Sequence, residues 1–279
     1  MFDVACLSDP TVHQRAVGEL RVSFKRRGEA TVLDGLRQAG CLKARFPNCA
    51  TPGWLDATML NTGGGVVGGD RLDLSFSAGV NTRVMVAAQA AERFYRALPD
   101  SAPSRVQTTV AVAAGAAFEW LPQETILYDR CALERRLDIE LAADACFLGV
   151  ESLVFGRTAM GESVESGWLR DTIRVRRAGA LLLHDAIRLN GPIASMLARP
   201  AVAAGARAVA TLIYVAPDAE QQLDAVRSAT DAGECGVSAW SGMLLARILA
   251  PDGASLRGLT MAALAVLRAP RPLPRVWLC

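Results

Sequence analysis

The densest group of residues that could do chemistry is a glycine run, Asn61–Asp70, with the sequence NTGGGVVGGD. Gly63, Gly65 and Gly68 satisfy the GxGxxG spacing of dinucleotide-binding loops. Such a loop holds a pyrophosphate only where a strand leads into the N-terminus of a helix. The next residues, Arg71–Ser77, alternate between polar and apolar side chains, which predicts a strand. A phosphate-binding P-loop is also disfavoured, because no Gly-Lys-Ser/Thr follows the run.

The glycine run instead predicts a special backbone. Five glycines in seven positions indicate positive φ angles or very close approach between chain segments. Asp70 closes the run, and its carboxylate can accept hydrogen bonds from backbone N–H groups that such a turn leaves free. A contact between Asp70 and a metal ion is the alternative interpretation.

Motifs for hydrolysis, phosphoryl transfer and hydride transfer are missing. The sequence has no HExxH, CxxC or GxSxG motif, and it has two histidines, His13 and His184. A tight transition-metal site is therefore not expected.

Seven cysteines, an odd number, argue against a secreted disulfide framework and favour a reducing, cytoplasmic location.

Composition excludes two further classes of protein. The net charge is +2 and the arginines are scattered, whereas binding to nucleic acid requires a dense basic face. No apolar stretch reaches the roughly 18 residues of a membrane-spanning helix. Hydrophobic residues at 51% and charged residues at 21% are typical of a folded globular chain.

Strand patterns dominate the elements that must position these residues. Arg21–Phe24 and Ala30–Leu33 flank one predicted hairpin turn, and Thr172–Arg176 and Leu181–Ile187 flank another. Three segments also resemble one another, with turns near Gly79, Gly115 and Asp144. Each reads as an alternating strand, a small-residue turn and an apolar strand, so stacking them would build a shared core. Alternatively, the three segments resemble one another only because β hairpins in general share this pattern.

If the three segments stack, their polar ends come together. Gln89, Gln123, Glu124 and Glu151 would then lie at the ends of adjacent strands, on one side of the stack.

Helices are predicted late in the chain, over Asp218–Ala229, where Leu223 and Val226 are three residues apart, and over Gly253–Arg268, where leucines recur at helical spacing. The strand-like Gly242–Ile248 lies between them. No linker long enough to separate two domains is visible. We therefore expect a mostly-β chain with one domain over residues 1–279, comprising a β core at about 15–215 and a helix-containing part at about 216–279.

Four ordered blocks resemble the UreD (or UreH) family of urease accessory proteins. The glycine run with the following RLDL is similar to the family signature NTxGGxxGGDxLxL. The other three blocks are Gln89–Arg96, Trp120–Asp129 and Phe155–Glu162. Glu92-Arg93 stands where the family usually has Thr-Lys, so the surface chemistry of that block departs from the family pattern. The resemblance covers nearly the whole chain.

The resemblance implies a non-catalytic maturation factor for urease. Members of this family act with a UreF-type partner and a UreG-type GTPase, and together they help deliver nickel to apo-urease. The resemblance also implies an internal passage for the metal. No tightly bound cofactor is expected, and Ni²⁺ would be bound only in transit.

Carboxylates inside or beside the blocks are the candidate ligands for nickel in transit: Asp70, Glu124, Asp129, Glu151 and Glu162. Weak oxygen ligands along a wet passage would attract Ni²⁺ and still release it. Each acid has a structural alternative, such as pairing with Arg96 or Arg157 or capping a turn. Candidate partner-binding residues are Gln89, Tyr95, Arg96 and Arg157.

Two other functions remain open. The chain could be an adaptor that binds partner proteins and never contacts metal. It could also be a dinucleotide enzyme that uses the Gly63–Gly68 loop, although the predicted strand after that loop weighs against this function.

Overall fold

The computed structural model describes residues 14–49, 51–157 and 160–278, and the mostly-β expectation is confirmed within them. His13 and Thr158-Ala159, which belong to the patterns above, lie outside these residues. The strands, in chain order, are β1 (Val17–Arg27), β2 (Ala30–Gly40), β3 (Leu42–Arg45), β4 (Leu55–Asn61), β5 (Arg71–Ala78), β6 (Arg83–Ala88), β7 (Glu92–Phe94), β8 (Ser104–Val112), β9 (Ala117–Leu121), β10 (Thr125–Leu127), β11 (Ala132–Leu141), β12 (Cys146–Phe155), β13 (Gly167–Arg177), β14 (Ala180–Gly191), β15 (Ala208–Val215), β16 (Glu234–Trp240) and β17 (Met243–Ala250). The α-helices are α1 (Ile193–Leu197), α2 (Leu223–Ala229) and α3 (Gly253–Arg268), with 3₁₀ turns at Glu220–Gln222 and Arg275–Trp277.

The strands form two sheets. The first, sheet A, is 7-stranded with the order β14-β13-β11-β8-β5-β1-β2. Its central strands β1, β5, β8, β11 and β13 are parallel, and the antiparallel hairpins β1–β2 and β13–β14 form its two edges. Both hairpins are those predicted from the sequence.

The second sheet, sheet B, is 10-stranded and follows the path β16-β17-β15-β12-β9-β6-β4-β3. Strands β4, β6, β9 and β12 are parallel within it. The short strands β7 and β10 leave this path, because β10 pairs with β12 and β7 pairs with β10.

The three similar segments do stack, which is the first of the two interpretations given above. Each contributes one strand to sheet A and the next to sheet B, as the pairs β5–β6, β8–β9 and β11–β12. Hydrogen bonds also join the turns of successive segments: Ala113 N donates to Ala78 O at 2.9 Å, and Ala142 N donates to Val112 O at 2.9 Å. At Gly115 a Cβ atom would lie 2.1 Å from Asn81 Oδ1 of the neighbouring turn, so this position has no room for a side chain.

Alternation in the strands produces two apolar layers. Inward residues of both sheets, such as Phe76 of β5 and Trp120 of β9, form the core between the sheets, and these two rings lie 5.5 Å apart. The opposite face of sheet B packs with residues of the helices, including Leu256 and Leu264 of α3. The molecule therefore has three layers: sheet A, sheet B and the helices.

Helix α3 has the predicted bounds. Asp252 Oδ1 accepts a hydrogen bond from Ser255 N at 2.8 Å at its N-terminus, and the helix ends before Pro270. Helix α2 is shorter than predicted, because Glu220–Gln222 forms a 3₁₀ turn. No helix in the described ranges is both long and apolar enough to cross a membrane.

Candidate functional site

A cavity of about 250 Å³ lies between the two sheets, beside the glycine run. Its lining extends from the exposed Gly64 and Arg93 to the buried side chains of Trp120, Arg135 and Glu151. Apolar residues from both sheets form most of the remaining wall. A cavity with this lining connects surface residues to buried charge.

The buried charge is centred on Arg135 of β11. Its Nε and Nη2 atoms donate to the two carboxylate oxygens of Asp171, at 2.9 and 2.6 Å. Its Nη1 atom contacts Glu151 Oε2 at 2.6 Å and donates to Thr125 Oγ1 at 2.8 Å. The other oxygen of Glu151 accepts a hydrogen bond from Trp120 Nε1 at 2.7 Å. The side chains of all three ionisable groups are less than a tenth exposed.

These three groups do not balance in charge. With both carboxylates ionised, the Arg135–Glu151–Asp171 cluster has a formal charge of −1. Burial lowers the pKa of Arg135, but Asp171 and Glu151 outweigh this effect and raise it overall. Burial raises the pKa of Glu151, and Arg135 only partly opposes this change. The cluster therefore favours an additional positive charge.

A second carboxylate, Glu92, lies nearer the exposed part of the lining. Burial raises the pKa of Glu92, whereas a hydrogen bond from Asn61 Nδ2 to its Oε2 atom, at 3.0 Å, opposes that rise. Glu92 on β7 is the register partner of Thr125 on β10. Because Thr125 also accepts the Arg135 hydrogen bond, it lies between the two carboxylates in the lining.

The glycine run forms the rim of this cavity. The strand β5 follows it directly, as predicted, so the helix that a dinucleotide site requires is not there. Gly65 has a φ of 140°, and a Cβ atom at this position would lie 2.3 Å from Tyr95 Cε2. Asp70 is buried and accepts hydrogen bonds from Ala16 N at 2.8 Å and Val67 N at 2.9 Å. This is the structural role given above as its first interpretation.

The five candidate nickel ligands do not form one group. Glu151 lines the cavity, whereas Asp70 is held by the backbone of its turn. Glu124 faces Arg257 of α3, with 3.2 Å between Oε1 and Nε. Asp129 accepts a hydrogen bond from Ser166 N at 3.0 Å, and Glu162 pairs with Arg157 at 2.7 Å. Within the described residues, no set of three or more His, Cys, Asp or Glu side chains could hold a metal ion.

The candidate partner-binding residues surround the same end of the molecule. Gln89 lines the cavity. Tyr95 follows β7 and Tyr128 follows β10, and their rings lie 4.8 Å apart. The guanidinium carbon of Arg157 lies 4.7 Å from the centre of the Tyr128 ring. We call Tyr95, Tyr128 and Arg157 the Tyr–Arg surface; the exposed Arg96 follows Tyr95 in the chain.

Three residues of the site, Arg135, Asp171 and Glu92, were not among the predicted ones. In β11 the buried positions are Leu133, Arg135, Leu137, Ile139 and Leu141, so Arg135 occupies an inward position of the alternation. Asp171 likewise falls between the buried Leu169 and Ile173 of β13. Arg135 and Asp171 could have been identified from the sequence, because each charged residue occupies a position where the alternation predicts a buried apolar side chain. For Glu92, the signal was the departure from the family pattern.

Another buried charged group lies on the opposite face of sheet B. Glu119 Oε2 pairs with Arg268 Nε at 3.0 Å, and its other oxygen contacts Arg271. The guanidinium of Arg271 also covers the Trp54 ring, at 3.5 Å from its centre. None of these four residues lines the cavity, and the group fixes the end of α3 to the sheet.

Comparison with known proteins places the chain among named relatives. The sequence model of the family described as UreD urease accessory protein matches residues 16–278. The chain is 46% identical to the urease accessory protein UreD of Xanthobacter autotrophicus over 276 residues, covering 98% of this chain and 94% of the relative. It is 43% identical to the protein of that name from Rhizobium leguminosarum bv. viciae over 277 residues, covering 99% of both.

Proposed function

The chain belongs to the family of UreD urease accessory proteins, and we propose that it acts in urease maturation as a non-catalytic factor through which nickel passes. The cavity between the sheets is the path in this proposal. Ni²⁺ is the cargo, and the nickel ion leaves the protein once it has been handed on.

The observation that supports a path is the oxygen-bearing lining of the cavity. Glu92, Thr125 and Glu151 supply oxygen atoms along it, and Asn61 and Gln123 supply amides. Hard oxygen ligands in small number bind a divalent transition metal weakly compared with thiolate or imidazole sets. Weak binding suits transfer, because a conducting site must release the ion as readily as it accepts it.

Delivery requires partners, and we propose a UreF-type protein, a UreG-type GTPase and apo-urease. The Tyr–Arg surface supports a docking role beside the cavity rim, since Tyr95 also donates its hydroxyl to Gly64 O at 3.2 Å. Tyrosine and arginine are the residues that most often dominate the binding energy of protein interfaces. Exposed Met160 follows Arg157 in the same loop region and adds apolar area.

An adaptor that never contacts metal is the second candidate. This function is supported by four of the predicted acids, whose carboxylates already have hydrogen-bond or ion-pair partners within the protein. Asp70 and Asp129 accept backbone hydrogen bonds, and Glu124 and Glu162 pair with arginines. Under this function the Arg135–Glu151–Asp171 cluster serves only to hold the two sheets together.

The experiment compares Glu151→Gln and Glu92→Gln with Glu140→Gln in cells that produce apo-urease and the accessory proteins. Glu140 lies on β11 and its side chain is 58% exposed, so it is a control outside the cavity. We expect both cavity variants to leave urease with less bound nickel while the accessory complex still co-purifies. Nickel per urease active site is measured by elemental analysis. Full nickel loading with both cavity variants would support the adaptor instead.

A further inference from the structure

We propose that Arg135 and Asp171 set how long a cation remains at Glu151, by fixing the charge behind that carboxylate. This inference rests on the proposed function, because it takes Glu151 as a contact of the cation in transit. It assigns a positioning role to two residues that would not themselves hold the metal.

The geometry separates the two carboxylates of the cluster. Glu151 lines the cavity together with Arg135, whereas Asp171 is not part of the lining. Asp171 engages two nitrogens of Arg135 from behind, at 2.9 and 2.6 Å. That contact leaves Nη1 to Glu151 and Thr125. Asp171 therefore orients Arg135, and Arg135 orients Glu151 toward the cavity.

The charges of the cluster then determine its attraction for a cation. In the wild-type protein the cluster has a formal charge of −1, which attracts a divalent ion, while the guanidinium beside Glu151 repels it. Removing Arg135 would leave two buried carboxylates and a charge of −2. Removing the charge of Asp171 would leave a neutral pair. Because the site is shielded from water, a change of one unit charge alters the affinity for a cation strongly.

This arrangement suits transfer better than either extreme. Two carboxylates without the arginine would hold a divalent ion as a resting site. A neutral Arg–Glu pair would have no net electrostatic attraction for the ion. A partly compensated carboxylate attracts the ion and releases it again.

A series of charge variants tests the proposal through metal binding. Arg135→Gln, Asp171→Asn and the double variant change the formal charge of the cluster to −2, 0 and −1. Ni²⁺ binding by the full-length chain is measured by equilibrium dialysis at one pH and ionic strength. Its release is measured by stopped-flow mixing with a chelator. Arg174→Gln and Asp138→Asn are matched controls, because this pair, with 2.7 Å between Nε and Oδ1, bridges the same two strands on the outer face of sheet A.

We expect Asp171→Asn to weaken Ni²⁺ binding and Arg135→Gln to tighten it and slow release, each on the order of tenfold. The double variant should return close to the wild-type affinity, and the outer-face controls should not change it. A purely structural role would instead make each change weaken binding, with the double variant the weakest. If Arg135→Gln does not fold, Asp171→Asn is compared with Asp171→Glu, which keeps the charge. Unchanged affinity in Asp171→Asn, or an equal loss in both variants, overturns the inference.

The outcomes separate this inference from the proposed function. Binding that is lost in Glu151→Gln but is insensitive to the charge series contradicts only the role of Arg135 and Asp171. Binding that is insensitive to both Glu151→Gln and Glu92→Gln contradicts the nickel path itself.

Discussion

Arg135 and Asp171 are direct register partners on the neighbouring parallel strands β11 and β13, and their side chains form a two-point ion pair inside the protein. On the opposite face of the same strands, Asp138 and Arg174 are register partners too, and they form a pair whose side chains are 17% and 29% exposed. The two pairs have the same chemistry and differ in burial.

The first prediction concerns their stability. Arg135→Met leaves two buried carboxylates without a counter-charge, so we expect the free energy of unfolding to fall by about 3–5 kcal/mol at neutral pH. Arg174→Met should cost less than about 1 kcal/mol, because solvent screens the pair on the outer face. Urea denaturation followed by tryptophan fluorescence measures both. Equal losses would mean that the inner pair is as well hydrated as the outer one.

Local patterns predicted much of this fold. Alternation in β5 and β11 identified strands, turn residues identified two hairpins, and helical spacing gave the bounds of α3. These signals are local, because a strand or helix must present its apolar side chains at a fixed period. The same alternation suggested that the three similar segments stack, but it did not exclude a pattern common to unrelated hairpins.

The partners of buried charges could not be predicted in this way. Asp171 is 36 residues from Arg135, and Arg257 is 133 residues from Glu124. An inward arginine in an alternating strand shows that a counter-charge must exist, but the sequence does not say which acid supplies it. The predicted acids were chosen inside or beside the family blocks, whereas Arg135 lies between two blocks and Asp171 follows the last of them.

The second prediction concerns the glycine run. Gly65→Ala would place a Cβ atom 2.3 Å from Tyr95 Cε2 at a φ of 140°, so we expect a loss of more than about 2 kcal/mol in the free energy of unfolding. Gly64→Ala, with a φ of 76° and no atom within 4 Å, should cost about 1 kcal/mol. Chemical denaturation measures both variants. A milder effect at position 65 than at position 64 would show that the Tyr95 ring moves aside freely.

The third prediction concerns the C-terminal segment. Trp277 is buried, its Nε1 atom donates to Leu121 O at 3.1 Å, and the Arg257 guanidinium carbon lies 5.4 Å from its ring centre. We expect Trp277→Ala to cost about 3–5 kcal/mol, whereas Leu278→Ala, at a side chain 64% exposed, should cost under about 0.5 kcal/mol. Thermal unfolding measures the difference. Similar midpoints for the two variants would contradict a packed C-terminal segment.

The fourth prediction concerns pH. Burial raises the pKa of Asp56, although a hydrogen bond with the Cys49 thiol opposes this, and a raised pKa means that the ionised form destabilises the folded state. Asp56→Asn should therefore raise stability at pH 7, and the gain should disappear below the unfolded pKa of about 3.9. For Asp252 the sign is reversed: hydrogen bonds from the backbone N–H of Ser255 lower its pKa. Asp252→Asn should lose stability at pH 7, and this loss should shrink as the pH falls toward the lowered pKa of Asp252.

Urea midpoints measured from pH 3 to pH 7 test this pair of predictions. The difference between each variant and the wild type is the quantity to compare, since it isolates one carboxylate. Curves that shift in the same direction for both variants would contradict the opposite environments of the two groups.

The fifth prediction concerns the Tyr–Arg surface. Arg157 is 45% exposed, and it is held by Glu162 and the Tyr128 ring, so Arg157→Ala removes a guanidinium without opening the core. We expect the variant to keep its stability and to bind the proposed UreF-type partner at least about tenfold more weakly, as for a residue that dominates an interface. Arg136→Ala is the control, because Arg136 is 47% exposed and paired with Asp138 on the outer face of sheet A. Isothermal titration with the purified partner measures both affinities. Equal binding by the two variants would mean that the partner does not contact Arg157. Any general effect of losing one surface arginine would be the same in both variants.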